Sequence, residues 1–235
     1  MNPSGSRTKV CSDTNGRRLI SNTIIRRELR TARRQLHPRQ QRQHAIQVLQ
    51  HLRRHRWFLN ARHIAFYWAA DGELNLLPLL QYARLHSKTC YLPVLKPQRT
   101  CWGRGKLWFA RYRSNDHLQP NRFGIPEPRS RNYRLVWQLD LILLPLVGFD
   151  AKAHRLGMGG GFYDRTLAPL QLRHTGRRPH LIGIAHDCQR VACMTPKPWD
   201  IPLNAVVTER QIYSRQLPVR TSLLSCRTAI KSPIT

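Results

Sequence analysis

Between Val147 and Thr166 the chain reads Val-Gly-Phe-Asp-Ala-Lys-Ala-His-Arg-Leu-Gly-Met-Gly-Gly-Gly-Phe-Tyr-Asp-Arg-Thr. Gly157, Gly159, Gly160 and Gly161 crowd into one short stretch; Arg155 stands before them, and Tyr163, Asp164 and Arg165 follow. Glycines at this density let the backbone reach positive φ and turn its N–H groups toward a ligand. A helix starting just beyond them adds its positive end, which favours an anion. With a cation before the loop and a carboxylate after it, the ligand that fits is a metal-bound polyphosphate; a turn that merely reverses the chain needs neither charge. The loop lacks the G-x-x-x-x-G-K-[ST] spacing of a P-loop, and no acid stands at the offset of a dinucleotide fold.

Such a loop needs a scaffold, and periodicity supplies one. The apolar run from Leu139 to Val147 predicts a central parallel strand covered on both faces, feeding the loop. Residues 165–172 predict the helix after it. Upstream, Ile64 to Trp68 reads as a strand ending at Asp71-Gly72, residues 76–86 as a helix with Pro78 in its first turn, and Thr89 to Leu95 as the next strand. That alternation marks a parallel α/β unit. Leu181 to Ala185 and Ala205 to Thr208 are further strands, while Cys101 to Tyr112 predicts an edge hairpin turning at Gly103 to Gly105. Near the start, Ile25, Leu29, Ala32 and Leu36 stripe one helix, with Asn22 as its expected cap and Pro38 as its stop; Ala45, Val48, Leu49 and Leu52 stripe a second. The expected fold is a single α/β domain of Rossmann-like layering, with a mostly parallel central sheet and helices on both faces. It spans residues 21–213, between aperiodic basic tails at 1–20 and 214–235 that read as disordered.

At 235 residues and 41% hydrophobic content, a substantial core can form. The 40 Lys+Arg against 12 Asp+Glu leave a net charge of +28, a field that draws polyanions of every kind. In the first 60 residues this basic excess supports either a nucleic-acid-binding helical pair or a solvated basic face with one or two arginines turned to a phosphate. No known nucleic-acid motif is present, which favours the second. Six cysteines without a C-x-x-C pair read as reduced thiols, and no apolar run reaches membrane-spanning length, so a cytoplasmic protein without membrane association is expected.

Read as a whole, the chain resembles the 5-formyltetrahydrofolate cyclo-ligases, also called 5,10-methenyltetrahydrofolate synthetases. The likeness rests on residues 155–165 (Arg-Leu-Gly-Met-Gly-Gly-Gly-Phe-Tyr-Asp-Arg) and on Pro-Leu-Val-Gly-Phe-Asp before them (145–150). Asp-Gly-Glu-Leu (71–74), Tyr-Leu-Pro-Val (91–94), Ile-Pro-Glu-Pro (125–128) and residues 199–208 (Trp-Asp-Ile-Pro-Leu-Asn-Ala-Val-Val-Thr) complete six blocks in the family's order. Ala-His-Asp-Cys-Gln (185–189) adds the bacterial branch.

The resemblance implies an enzyme that uses ATP and Mg²⁺ to convert 5-formyltetrahydrofolate, monoglutamyl or polyglutamylated, into 5,10-methenyltetrahydrofolate. It implies that Arg155, Leu156, Gly157, Met158, Gly159, Gly160, Gly161, Phe162 and Tyr163 wrap ATP, with Arg155 and Tyr163 as catalytic candidates. Met158 to Phe162 also face the folate, joined by Trp68 and by Glu73 on the pterin. Asp164 and Asp200 are the implied metal ligands, and Asn22 and Arg26 reach ATP from the first helix; the family usually has lysine where Asn22 stands. From the residues alone, Glu73 is an ordinary turn acid, Asp200 a loop acid bonded to nearby backbone, and Asp164 equally an acid favouring a helix start. His186 and Cys188 have the types of a nucleophilic pair but no orienting third group, and read as structural. A monomer is expected. The alternative is a basic nucleic-acid-associated protein that keeps the fold without turnover, with nucleic acid held only through nonspecific charge.

Overall fold

In the computed structural model the described residues are 11–12, 18–19, 21–95, 105–130, 132–172 and 178–215. Most of both basic tails and the predicted turn at Gly103 lie outside them. A two-residue pair, β1 (Cys11–Ser12) with β2 (Arg18–Leu19), is antiparallel. The first long helix, α1 (Asn22–Arg34), is capped by Ser21 and not, as expected, by Asn22: the Ser21 hydroxyl accepts the Ile24 N–H. A serine oxygen is the better placed of the two because Ser21 keeps extended backbone before the helix. Pro38 does restart the chain, as the first residue of α2 (Pro38–Arg53), where a missing N–H is harmless. The His37 imidazole accepts the Arg39 N–H, and Gln40 reaches back to the His37 N–H.

The rest of the chain folds as α3 (Arg56–Leu59), β3 (His63–Ala65), α4 (Leu77–Leu85), β4 (Thr89–Leu95), β5 (Leu107–Tyr112), β6 (Leu118–Pro120), β7 (Pro126–Pro128) and β8 (Tyr133–Arg134). Then come β9 (Leu141–Pro145), β10 (Gly148–Phe149), β11 (Arg155–Leu156), α5 (Phe162–Leu167), α6 (Pro169–Leu172), β12 (His180–Ile184), β13 (Ala205–Val207) and β14 (Ile212–Ser214). Eight of these strands form one sheet in the order β14-β13-β12-β9-β3-β4-β5-β8. The five from β13 to β4 are mutually parallel, and antiparallel strands close both edges. The expected hairpin around Gly103 to Gly105 is therefore not a local excursion: β5 folds back along the whole of β4, from Cys90↔Tyr112 to Leu95↔Leu107.

Side-chain alternation divides the core between the two faces. Leu141 and Leu143 of β9 join Ile64, Leu79, Leu80, Ala45 and Val48, beneath α2 and α4. Ile142 and Leu144 join Ala65, Leu167, Leu170 and Val206, beneath α5 and α6. The expected single helix over 165–172 is two, broken where Pro169 cannot continue the ladder of α5. Among the parallel strands the second in sequence lies outside the first, and the later three run the other way. Successive connections from β3 and β9 thus cover opposite faces, and a crevice opens between the carboxyl ends of these two strands.

Candidate functional site

Both halves of the predicted site leave the sheet at that crevice. After β3, Tyr67 donates its hydroxyl to the Leu74 carbonyl at 2.6 Å, bending residues 67–74 into a compact loop. Asp71 and Gly72 make its turn with φ of 53° and 76°. Gly72 is required there: an added Cβ would meet the Arg33 carbonyl at 3.3 Å in a conformation L side chains rarely adopt. After β9 the glycine loop does not begin at once. A small hairpin of β10 and β11 intervenes, its turn organised by the buried carboxylate of Asp150, which accepts N–H groups from Lys152, His154 and Met194.

Helix α1 ties the two halves together through arginines spaced along one face. Arg26 donates from Nε to the Gly157 carbonyl at 2.8 Å, so it stands on the glycine loop. Arg30, Arg33 and Arg34 converge on the Asp71 carboxylate. Arg33 is completely buried. It donates to the Asp71 carbonyl and, across the crevice, to the Leu146 carbonyl at 3.1 Å, with Glu73 at 3.8 Å. Four partners for one guanidinium make the burial of its charge tolerable. Neither Arg33 nor Asp71 stands out in the sequence as a site residue. One arginine in an arginine-rich helix carries no mark of its burial, although the positions 26, 30 and 33 share a helical face.

Glu73, an ordinary turn acid on spacing alone, is almost enclosed, and burial lifts its carboxyl to about 7 against the opposing pull of Arg33. One of its oxygens accepts the Ala70 N–H. Burial raises both the Tyr67 and Tyr163 phenols, and the Glu73 carboxylate raises each further. The carboxylate of the first crossover and the Tyr163 phenol, in the first turn of α5, thus feel one another's charge. Trp68 lines a shallow pocket beside them with Tyr67, Leu76 and Leu80.

The glycine loop itself is exposed from Gly157 to Gly160, and Met158 projects outward at 55% exposure. Gly159 and Gly161 take φ of 95° and 64°, Gly161 opening α5. Leu156, by contrast, is buried, and its carbonyl accepts the Val147 N–H. Arg155 pairs with Asp164, while its Nε is buried without a hydrogen-bond partner among the described residues. Arg165 turns back to the Gly160 and Gly105 carbonyls, and Phe162 packs edge-on against Phe123 at 5.9 Å between centroids. Asn22 is exposed one turn before Arg26 on α1. Asp200 accepts the Lys197 N–H within its own loop at 2.8 Å. His186 and Cys188, though of nucleophilic types, do not form a nucleophilic site: His186 faces His44, and burial raises the Cys188 thiol.

A partly neutral acid, two cations with unsatisfied or loop-directed donors, and an exposed run of main-chain amides can hold a polyphosphate beside a second, hydrogen-bonding ligand. The model of the 5-formyltetrahydrofolate cyclo-ligase family matches residues 20–209. The chain is 39% identical over 187 residues to a 5-formyltetrahydrofolate cyclo-ligase of Escherichia coli K12, covering 79% of this chain and 98% of that one. A protein of the same name from Haemophilus influenzae is 39% identical over 181 residues, 76% and 92% of the two chains. The solved structure of Aquifex aeolicus 5,10-methenyltetrahydrofolate synthetase superposes with a TM-score of 0.73 at 25% identity, covering 88% of this chain and 99% of that one.

Proposed function

The chain belongs to the 5-formyltetrahydrofolate cyclo-ligase family, and from that premise we propose that it closes 5-formyltetrahydrofolate to 5,10-methenyltetrahydrofolate at the expense of ATP. The formyl oxygen is a poor leaving group. Taking the γ-phosphoryl group of ATP makes it a good one; N10 then attacks the formyl carbon, loses its proton, and inorganic phosphate departs. The enzyme's work is to position two ligands and to balance charge as it moves.

Main-chain amides from Gly157 to Gly161 cradle the phosphates, with Arg26 and Arg155 as counter-charges. The unpartnered Nε of Arg155 is the observation that carries this reading: a buried guanidinium nitrogen needs an acceptor, and a phosphate oxygen is one. Tyr163 bounds the site between phosphate and folate, and Glu73 accepts the paired N–H donors of the pterin edge above Trp68. Mg²⁺ suits Asp164, whose partly exposed carboxylate beside Arg155 offers hard oxygen, and Asp200 would be the second ligand. When bound, the ion neutralises phosphate charge. Asp164, paired with Arg155 here, would hold the ion, and Arg155 would then be available to the phosphates. Asn22 supplies hydrogen bonds where a lysine would supply charge, leaving Arg26 as the charged group on α1 at the loop.

The test is growth of methenyl absorbance with 5-formyltetrahydrofolate, ATP and Mg²⁺. Turnover that needs all three supports the reading. No product at saturating ATP, with calorimetry showing no nucleotide uptake, defeats it.

A further inference from the structure

Beside the crevice, three side chains from three elements converge at the carboxyl end of the sheet, on the α2 face. His44 comes from α2, His186 follows β12 and Glu209 follows β13. The two Nδ1 atoms stand 2.9 Å apart, and Glu209 Oε2 lies 3.8 Å from that of His44. All three candidate ligand atoms fall within 4.8 Å of one another. We propose that this trio is a site for a zinc-class divalent transition metal, with His44 Nδ1, His186 Nδ1 and Glu209 Oε2 as ligands and water in the fourth position.

The argument starts from lone pairs. Two imidazole nitrogens and a carboxylate oxygen converge on one point, and a single proton between the rings serves only two of them. One cation serves all three. Zinc binds nitrogen at ~2.0–2.1 Å, so two ligands on a tetrahedral ion stand roughly 3.3 Å apart. The 2.9 and 3.8 Å separations bracket that value. Imidazole nitrogen selects zinc, cobalt or nickel over magnesium, which prefers oxygen.

The surroundings support the same assignment. The His186 ring is wholly buried, with its Nδ1 turned to that of His44. Glu209 is oriented by the Asp187 N–H, which donates to Oε2 at 2.9 Å. Arg33, whose charge reaches His186, is already matched by Asp71 and Glu73. Side-chain exposures of 16% for His44 and 9% for Glu209 leave a path for water and metal. The metal would staple α2 to the ends of β12 and β13, next to the helix whose Arg26 reaches the glycine loop.

The test uses full-length protein stripped with chelator, then titrated with Co²⁺ and, separately, dialysed against Zn²⁺ and assayed for bound metal. One equivalent per chain and the intense visible absorption of four-coordinate Co²⁺ are expected. His44→Ala and Glu209→Gln should each weaken Co²⁺ binding by about 100-fold or more, since even outer partners of metal ligands are worth 10–100-fold. Circular dichroism of both variants should match the parent, which keeps loss of metal distinct from loss of fold. A spectrum that stays that of the aqua ion, or equal affinity in parent and both variants, overturns the site and leaves a simple N–H···N bond between the histidines.

Discussion

A single carboxylate shows how function costs stability in this molecule. Glu73 in the unfolded chain titrates near 4.5 and in the fold at about 7. Between those values the folded state holds the proton more tightly, so stability falls as pH rises through the interval; below 4.5 both states are protonated and the cost vanishes. The difference of 2.5 units corresponds to about 3 kcal/mol above pH 7, as an upper figure, since Arg33 loses one partner when the charge is removed. Glu73→Gln should therefore raise the melting temperature at pH 8 and lose that advantage by pH 4.5, while folate affinity falls at every pH. A variant no more stable than the parent at pH 8 would show the carboxylate already compensated in the fold. In the parent, KM for 5-formyltetrahydrofolate should rise as pH drops below about 7, because a protonated Glu73 no longer accepts two donors. Asp164→Asn belongs to the opposite case. Its side chain is 31% exposed and asparagine keeps an oxygen to accept from Arg155, so stability should move by less than about 1 kcal/mol, while turnover at limiting Mg²⁺ falls steeply; equal turnover would remove Asp164 as a metal ligand. The sequence made Asp164 visible through its glycine neighbours and Glu73 only through family likeness. Burial is what gives Glu73 its raised pKa, against the pull of Arg33, and burial is a property of the assembled fold.

Elements were legible in proportion to their length. The β4 run from Thr89 to Leu95 has the bounds its pattern predicts, and α4 differs from prediction by a residue at each end. The β10–β11 hairpin and β14 escaped notice because two or three residues carry no period. That hairpin matters, for it lifts the glycine loop off the end of β9 and onto Arg26. Within the loop the glycines have different duties. Gly159, at φ of 95°, holds a conformation that strains any other residue, whereas a Cβ on Gly157 would meet none of the described residues within 4 Å. Gly159→Ala should lower thermal stability by roughly 1–2 kcal/mol along with activity. Gly157→Ala should be neutral or slightly stabilising in a melt yet should raise KM for ATP if phosphates approach its amide. A Gly157→Ala enzyme with unchanged KM would move the phosphates further along the loop.

At the scale of the whole molecule, topology and charge act together. The strand order places one crevice where β3 and β9 part, and α1 lays its basic face across it. Much of the remaining charge is elsewhere; Arg84, Lys88, Arg111 and Arg113 ring a cavity at the amino end of β4, away from the glycine loop. A net charge of +28 raises the local concentration of any polyanion, nucleotide and RNA alike, without choosing between them. Salt separates the two. Nucleotide bound as proposed, on the loop amides and Arg155 at 8% side-chain exposure, would be shielded from screening, but its encounter is steered through solvent, where the Debye length is ~10 Å at 0.1 M. Raising KCl should therefore lower kcat/KM for ATP while kcat at saturation stays within about twofold. RNA retained by charge alone should bind with the same affinity whatever its sequence and dissociate as salt rises, with log K falling linearly in log salt. Sequence preference that survives high salt would require base contacts, and the basic face would then be a nucleic-acid site in its own right.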